Sequence, residues 1–327
     1  MGSYMCQKVF LLVSLIGILI AYLLAPLGEF LPNLIQKVYE GDAYGLAQEL
    51  NHVGASFSYD SHLAVHDPKI LSPQREALHA ASTTIVQEYN SFRSNHKIPY
   101  FGDLDPNQQF LGQWKTLWLK LYGTESCVAS QYFPKTVAAV QASGLPAVSI
   151  MISTLDPGQI LEPHYGPTNF ILRYHMGLSI PQTITNTTSS SSEDSAPPPP
   201  LPPHLTIWPC RPTGIYWDSL APNCTPLRLE WKSNHHNHHE DEENDGGSSS
   251  PPPQEMYFDD TFYHSASNPN PDQERIILWL DLKRHDYKGW RQSLLSHLIF
   301  LIVKWFPPQE IRTNVETTNR LCRPPKQ

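Results

Sequence analysis

Residues 162–178 read EPHYGPTNFILRYHMGL and bring His164, Arg173 and His175 into one short segment. From Phe170 onward the segment has the composition of a β-strand, in which alternate side chains face opposite sides. One side of this strand carries Arg173 and His175, and the other carries only apolar and aromatic residues. An unpaired guanidinium is costly to bury. The pattern therefore predicts a strand whose polar face meets an anionic ligand.

A second segment far downstream has the same character. Residues 258–264 read FDDTFYH, and residues 275–281 read RIILWLD. With a period of two, Arg275 shares a face with Ile277, Trp279 and Asp281, while the other face is aliphatic. Two arginines on the inner faces of two strands suit a dicarboxylate such as 2-oxoglutarate.

The histidines suggest a metal, although one expected ligand is missing. Non-haem iron(II) oxygenases hold iron with two histidines and one carboxylate. On β-scaffolds the first two ligands commonly occur as His-x-Asp or His-x-Glu. In this chain Gly166 stands two residues after His164. Taken alone, the glycine argues against an iron site.

Together, the two segments resemble the aspartyl/asparaginyl β-hydroxylase family of 2-oxoglutarate-dependent dioxygenases. The first matching block contains Pro157-Gly158, residues 163–169, residues 172–178 and Pro181. The second contains residues 258–264, Asn268 and residues 275–281. The resemblance covers about residues 72–285 and is closest near these blocks.

The resemblance changes the meaning of Gly166, because this family has glycine in place of the carboxylate ligand and water completes the iron shell. It implies that His164 and His264 are the catalytic iron ligands. It implies that Arg275 pairs with the distal carboxylate of 2-oxoglutarate. The remaining cosubstrate contacts that it implies are Ser153, Arg173 and His175. For Asp259 and Asp260, a supporting role behind the ligands and a plain turn role both stay open.

The implied chemistry uses iron(II), 2-oxoglutarate and O2, with ascorbate as a possible reductant, and releases succinate and CO2 as a substrate is hydroxylated. The first expectation is hydroxylation of aspartyl or asparaginyl side chains in proteins of the secretory pathway, with EGF-like domains as possible substrates. The second is the same chemistry on a lipid acyl chain, since related bacterial enzymes hydroxylate lipid A. The third is a membrane-bound binding module without turnover.

The composition argues against a nucleic-acid partner and indicates the size of the hydrophobic core. The net charge of the 327-residue chain is −8, and it has no basic stripe that could neutralise phosphates, so no nucleic-acid partner is expected. Hydrophobic residues make up 40% of the chain, which is enough for a sizeable core, although many of the 31 prolines lie in polar tracts.

The predicted fold is mainly β: a double-stranded β-helix of the jelly-roll or cupin type, with flanking α-helices and an N-terminal transmembrane helix. Ser72 and Pro73 are predicted to begin a helix that runs to Asn95. Low-complexity tracts are interpreted as insertions within one domain, because site residues lie on both sides of them. The predicted segments are a cytosolic N-terminus (1–8), an anchor (9–27), a stem (28–70), the dioxygenase domain (71–286) with disordered insertions at 183–204 and 233–254, and a C-terminal amphipathic helix and tail (287–327).

The run Val9–Ala25 is uncharged and, with its neighbours, approaches the length that spans a bilayer. An uncleaved signal anchor is favoured over a cleaved signal peptide, because Pro26 would follow the cleavage site. Lys8 places the N-terminus in the cytosol. A single-pass membrane protein with a lumenal catalytic domain, in the endoplasmic reticulum or Golgi, is expected.

Other features leave alternatives open. Cys210 and Cys224 are close enough in sequence to form a disulfide, but spacing does not show that they do. Asn186 and Asn223 lie in glycosylation sequons, which agree with a lumenal location. The histidine run at 235–239 is interpreted as a solvated insertion, with weak metal binding as the alternative. The apolar run at 294–303 is expected to pack or to lie on a membrane surface, with a second span as the alternative.

Overall fold

The computed structural model describes twelve stretches of the chain. The predicted anchor at 9–27, the histidine run at 235–239 and nearly all of both insertions lie outside them. The described residues are 36–37, 39–40, 63–101, 114–166, 168–181, 201–210, 212–213, 219–220, 223–231, 254–287, 290–305 and 309–322.

The larger sheet has seven antiparallel strands. They are β1 (Val65–His66), β2 (Trp114–Leu121), β3 (Thr124–Glu125), β4 (Ala147–Leu155), β6 (Ile171–Ser179), β11 (Glu255–Phe258) and β13 (Arg275–Lys283), in the spatial order β1-β11-β6-β13-β4-β2-β3. The strand β1 falls in the segment that was predicted to be stem, so the folded domain begins earlier than the sequence suggested.

The smaller sheet has four antiparallel strands: β5 (Ile160–His164), β7 (His204–Trp208), β10 (Leu227–Glu230) and β12 (Tyr263–Ser267), in the order β10-β7-β12-β5. The short strands β8 (Pro212–Thr213) and β9 (Ser219–Leu220) pair with each other. Along the chain, β4 to β7 alternate between the two sheets, and β10 to β13 alternate again. This winding is that of a jelly roll. The predicted mainly β class is confirmed.

The larger sheet has a hydrophobic core on each of its two faces. One core lies between the two sheets and includes Trp118, Met151, Phe258 and Trp279. The other lies between the larger sheet and the helices and includes Leu78, Phe92, Tyr174 and Leu278. The alternation of each central strand divides its side chains between these two cores.

The helices cover the outer face and the C-terminal end of the domain. They are α1 (Gln74–Ala80), α2 (Ser82–Asn95), α3 (Cys127–Tyr132), α4 (Pro134–Ser143), α5 (Trp290–Trp305) and α6 (Gln309–Arg320), with a 3₁₀ turn at Pro68–Leu71. Helix α4 has Pro134 in its first turn and Gly144 in the left-handed conformation at its end. Glu88 of α2 accepts hydrogen bonds from the N–H groups of Lys135 and Thr136.

The predicted single helix from Ser72 to Asn95 is wrong in two respects. The chain forms two helices, because the last turn of α1 closes with a tight bond from the Ala81 N–H to the Leu78 carbonyl. Ser72 is not the N-cap of α1. It ends the 3₁₀ turn, and its hydroxyl donates to Glu76 at 2.9 Å.

Two disulfides are present among the described residues. Cys210 pairs with Cys224, which answers the question that the sequence left open, and their Cα atoms are 5.8 Å apart. Cys127 pairs with Cys322 across 195 residues of sequence and ties α3 to the end of α6. Spacing could not indicate the second pair, because its cysteines are brought together by the packing of α6 on the domain.

The apolar run at residues 294–303 lies within α5, and this helix packs on the domain. The Phe300 ring stacks on Phe170 with centroids 4.1 Å apart, and Ser296 is buried and donates to Asn169. Of the two favoured expectations, packing or lying on a membrane surface, the structure shows packing. No helix among the described parts of the chain is both long and apolar enough to cross a bilayer.

The two disulfides should differ in their contribution to stability. In the chain-entropy model, removing Cys127–Cys322 costs about 5 kcal/mol and removing Cys210–Cys224 costs about 3 kcal/mol, because the first closes a much longer loop. Thermal unfolding of the paired Cys→Ser variants measures both losses, with the second pair as the control. A larger loss for Cys210–Cys224 would contradict the prediction.

Candidate functional site

The inner face of the larger sheet carries four of the predicted site residues. In the strand register, Arg173 lies opposite Asp281, His175 opposite Trp279, and Ser153 opposite Ile277. Directly opposed residues point to the same side of a sheet. Arg275, Ile277, Trp279 and Asp281 alternate along β13, so the four predicted residues face the space between the two sheets. The predicted division of both strands into a polar inner face and an apolar outer face is confirmed.

The two predicted iron ligands lie on the smaller sheet, directly opposite each other. His164 ends β5 and pairs with His264 on β12, and their ring centroids are 4.4 Å apart. His164 Nδ1 lies 2.8 Å from the Glu162 carbonyl, and His264 Nδ1 lies 2.8 Å from the Phe262 carbonyl. A carbonyl oxygen only accepts, so each Nδ1 carries the hydrogen. Each Nε2 is therefore the acceptor nitrogen, as a metal ligand must be.

Both histidines are held neutral. Burial lowers the pKa of His164 to about 3, and the neighbouring His264 adds to the effect. Burial, together with the positive charge of Arg173, lowers the pKa of His264 to about 3. Neutral imidazole is the form that binds metal. The site therefore offers two ligand nitrogens at neutral pH.

Gly166 lies against Asp260, which explains why this position carries no side chain. The Gly166 N–H donates to the Asp260 carbonyl at 2.8 Å. A Cβ on Gly166 would overlap the Asp260 carboxylate and lie 2.7 Å from that same carbonyl oxygen. An aspartate at position 166 is excluded by this packing. The carboxylate nearest the histidines comes from Asp260 instead.

Asp260 is fully buried, and one of its carboxylate oxygens lies 3.2 Å from His264 Nε2. Burial raises the pKa of Asp260 to about 6, against the opposing effect of Arg173. Since His264 Nε2 is an acceptor, a proton or a metal cation must neutralise the repulsion between its lone pair and the carboxylate. This constraint and the two imidazole nitrogens fit a divalent iron. No group of three metal-binding side chains is found among the described residues.

Arg173 is neutralised within the chain. Its guanidinium forms ion pairs with Asp260 and Asp281 and lies 3.8 Å above the Trp279 ring. The Trp279 indole N–H donates to Asp281 at 2.9 Å. The sequence placed Arg173 in the site, and the structure adds that two carboxylates hold it there.

Arg275 has the opposite environment. Its side chain is 3% exposed, its Nε is buried without a hydrogen-bond partner, and none of the described carboxylates forms an ion pair with it. Burial lowers the pKa of Arg275 to about 10, a value at which it still carries its charge at neutral pH. An uncompensated buried guanidinium is expensive. The site therefore requires an anion at this point.

Two more predicted residues face the same interior. His175 is buried, and its Nε2 has no hydrogen-bond partner in the described structure. Burial lowers the pKa of His175 well below its usual value, and Arg173 and Arg275 add to the effect, so the ring is neutral. The hydroxyl of Ser153 accepts from the Trp114 indole at 2.9 Å and can still donate.

The adjacent aspartates have different roles, which the sequence could not separate. Asp259 accepts from the N–H and hydroxyl of Thr261 and forms a buried ion pair with Arg284, so it shapes the turn before β12. Asp260 reaches the histidines. The sequence did not lead to a prediction that Asp281 pairs with Arg173. The position of Asp281 on the polar face of an otherwise apolar strand could have indicated it.

The comparisons with known proteins agree with the resemblance. Residues 79–194 match the model of a family described as aspartyl/asparaginyl beta-hydroxylase. An ornithine lipid ester-linked acyl 2-hydroxylase of Rhizobium tropici is 34% identical over 90 residues, which cover 26% of this chain and 31% of that protein. An aspartyl/asparaginyl beta-hydroxylase of Mus musculus is 35% identical over 82 residues, covering 24% and 11%. The predicted resemblance to this family is confirmed. The chain spans less than a third of the length of either relative.

Two solved structures are also similar. A Pseudomonas putida prolyl-4-hydroxylase has a TM-score of 0.29 and 9% identity, with 64% of this chain and 88% of that chain covered. A prolyl hydroxylase from Trichoplax adhaerens, in complex with a hypoxia inducible factor peptide, has a TM-score of 0.32 and 11% identity, with 66% and 81% covered. The fold assignment rests on the strand order rather than on these scores.

The packing at Gly166 predicts a specific loss of stability. Gly166→Ala should reduce the free energy of unfolding by about 2–3 kcal/mol, because the added methyl meets a buried carboxylate and a hydrogen-bonded backbone carbonyl. Gly177→Ala, on the same inner face, is the control. It should cost only about 1 kcal/mol, because its nearest neighbour is the adaptable Ile180 side chain. Equal losses in chemical denaturation would contradict this account of Gly166.

Proposed function

Because residues 79–194 match the aspartyl/asparaginyl β-hydroxylase family, we propose that this chain is an iron(II)- and 2-oxoglutarate-dependent hydroxylase. The observation that carries the proposal is Arg275, a buried guanidinium with no anionic partner among the described residues. It opens onto the same interior as two neutral histidines whose Nε2 atoms are acceptors. A dianionic cosubstrate and a divalent cation together satisfy both requirements.

In this function His164 and His264 hold the iron, and Asp260 lies beside them. Bound iron(II) would supply O2 activation coupled to the decarboxylation of 2-oxoglutarate to succinate. The Glu162 and Phe262 carbonyls fix both rings in the tautomer that presents Nε2. Arg173 holds the Asp260 carboxylate beside His264, where it would lie next to a bound cation.

The cosubstrate contacts follow from charge and burial. Arg275 pairs with the distal carboxylate of 2-oxoglutarate, where a bidentate ion pair would repay the cost of burying its charge. Ser153 and His175 lie on the same inner face and provide neutral polar groups for the remaining oxygens. The buried aromatic residues around them exclude water.

Two classes of substrate are proposed for this chain. The first is an aspartyl or asparaginyl side chain of a secretory-pathway protein, such as an EGF-like domain. It is supported by the family match and by the mouse relative. The second is a lipid acyl chain, which is supported by the match to the Rhizobium tropici lipid 2-hydroxylase.

The proposed location is the lumenal side of an endoplasmic reticulum or Golgi membrane, with residues 9–27 as the single-pass anchor. Two disulfides support an oxidising compartment. Protease protection of the catalytic domain in sealed microsomes tests this topology, and digestion without detergent would contradict it.

Iron-dependent turnover should depend on both histidines. The full chain with iron(II), O2 and ascorbate should form succinate from 2-oxoglutarate, and His164→Ala or His264→Ala should lower the rate at least about 100-fold. His96→Ala, which removes a histidine stacked on Phe92 outside the site, is the control. Mass spectrometry for one added oxygen on an EGF-like peptide or on a lipid distinguishes the substrates. If the wild type forms no iron-dependent succinate, the proposed enzyme activity is wrong and a membrane-bound binding module without turnover is favoured.

The Arg275→Met variant should distinguish a role of Arg275 in cosubstrate binding from a role in stability. The apparent affinity for 2-oxoglutarate should fall about 100-fold, while the stability without ligand stays the same or rises because a buried unpaired charge is removed. Arg284→Met is the matched control, because Arg284 is equally buried but pairs with Asp259. It should lose about 3–5 kcal/mol of stability. Calorimetric titration and thermal unfolding measure the two effects. A strongly destabilised Arg275→Met with unchanged affinity would show a structural role instead.

A further inference from the structure

Helix α5 exposes a stripe of large apolar side chains. At about 100° per residue, four exposed positions fall within an arc of about 60°. These are Trp290, Leu294, Leu301 and Trp305, with exposed fractions of 68, 41, 48 and 72%. Four large hydrophobic residues exposed along one side of a helix are typical of an interaction surface.

The stripe cannot turn into the protein, because another side of α5 is already fixed to the domain. Phe300 stacks on Phe170 and makes an edge contact with Tyr122. His297 meets Phe170 edge-on, and the buried Ser296 donates to Asn169. Ser296 lies about 150° around the helix from the middle of the stripe. The packed side and the exposed stripe are therefore distinct surfaces.

The chemistry of α5 matches the surface of a phospholipid bilayer. The helix contains no acidic residue, and its charged residues are Arg291 and Lys304, one near each end. Of these two, Lys304 is exposed, and its helical position lies beside the stripe. Trp290 and Trp305 bound the stripe about 22 Å apart, and tryptophan favours the membrane–water interface. Basic residues beside an apolar face are typical of helices that lie on anionic membranes.

The length of α5 excludes spanning. Its 16 residues cover about 24 Å, less than the hydrocarbon core of a bilayer of about 30 Å. The apolar run Val9–Ala25 offers a membrane attachment elsewhere in the chain, and residues 26–64 connect it to β1. At up to about 3.3 Å per residue, this connection is long enough to let α5 reach the same bilayer.

We propose that the Trp290–Trp305 stripe of α5 docks the folded domain on the surface of a bilayer that contains anionic phospholipid. The two leucines enter the headgroup–acyl boundary, the two indoles lie at the interface, and Lys304 meets the headgroups. This contact is separate from the N-terminal anchor and does not depend on the iron chemistry.

The tryptophans allow a direct test in the full chain. All eight tryptophans lie at or beyond Trp114, so the apolar run Val9–Ala25 contributes no tryptophan signal. The full chain is reconstituted into nanodiscs of zwitterionic and anionic phospholipid with brominated acyl chains, and quenching of tryptophan fluorescence is measured. The wild type should be quenched, and Trp290→Phe/Trp305→Phe should reduce the quenched fraction at least about twofold.

A pair of charge variants supplies the matched control. Leu294→Glu/Leu301→Glu should release the stripe and reduce quenching by a similar factor. Leu201→Glu/Leu227→Glu changes two leucines of similar exposure outside α5, 56 and 42%, and should leave quenching unchanged. Thermal unfolding checks that the exposed substitutions leave the fold intact.

Three results would overturn the proposal: no quenching of the wild type, equal quenching of the two leucine variants, or quenching that survives loss of both tryptophans. If the stripe instead contacts a second copy of the chain, the wild type will be unquenched and dimeric. Leu294→Glu/Leu301→Glu will then be monomeric by mass photometry.

Discussion

The ion pair between Arg173 and Asp260 joins the two halves of the candidate site. Arg173 belongs to the larger sheet, and Asp260 lies in the turn that leads into β12 of the smaller sheet. Asp260 in turn lies beside His264 and against Gly166. Removing Arg173 would leave two buried carboxylates without their guanidinium, which costs far more than a surface pair contributes. This interaction therefore ties the histidine pair to the inner face of the larger sheet.

The parts of the structure that follow from local alternation were predictable from the sequence. The inner and outer faces of β6 and β13 were assigned correctly, because the period of two is a backbone property that tertiary packing does not alter. The mainly β class followed from similar local signals. Ser153, His164, Arg173, His175, His264 and Arg275 were identified through resemblance to a family, and the structure places them around one interior.

The parts that depend on contacts distant in sequence were not predictable. Cys127 meets Cys322 because α6 packs beside α3, and no spacing rule connects residues so far apart. The different roles of Asp259 and Asp260 depend on which arginine faces each of them, Arg284 or Arg173. Each of these features is decided by partners brought together in the folded chain.

Two buried arginines have different environments, which explains how the site can be stable and still bind an anion. Arg173 is compensated by Asp260, Asp281 and the Trp279 ring, so it belongs to the permanent framework. Arg275 lacks such compensation among the described residues, so its burial stores an unfavourable free energy that an anion can relieve.

The loop Thr168–Phe170 lies between this site and α5. It follows His164 and Gly166, leads into the strand that carries Arg173, and contacts α5 through Phe170 and Asn169. A bilayer contact at the exposed stripe would therefore leave only the thickness of α5, about 10 Å, between the lipid surface and the loop that follows His164 and Gly166.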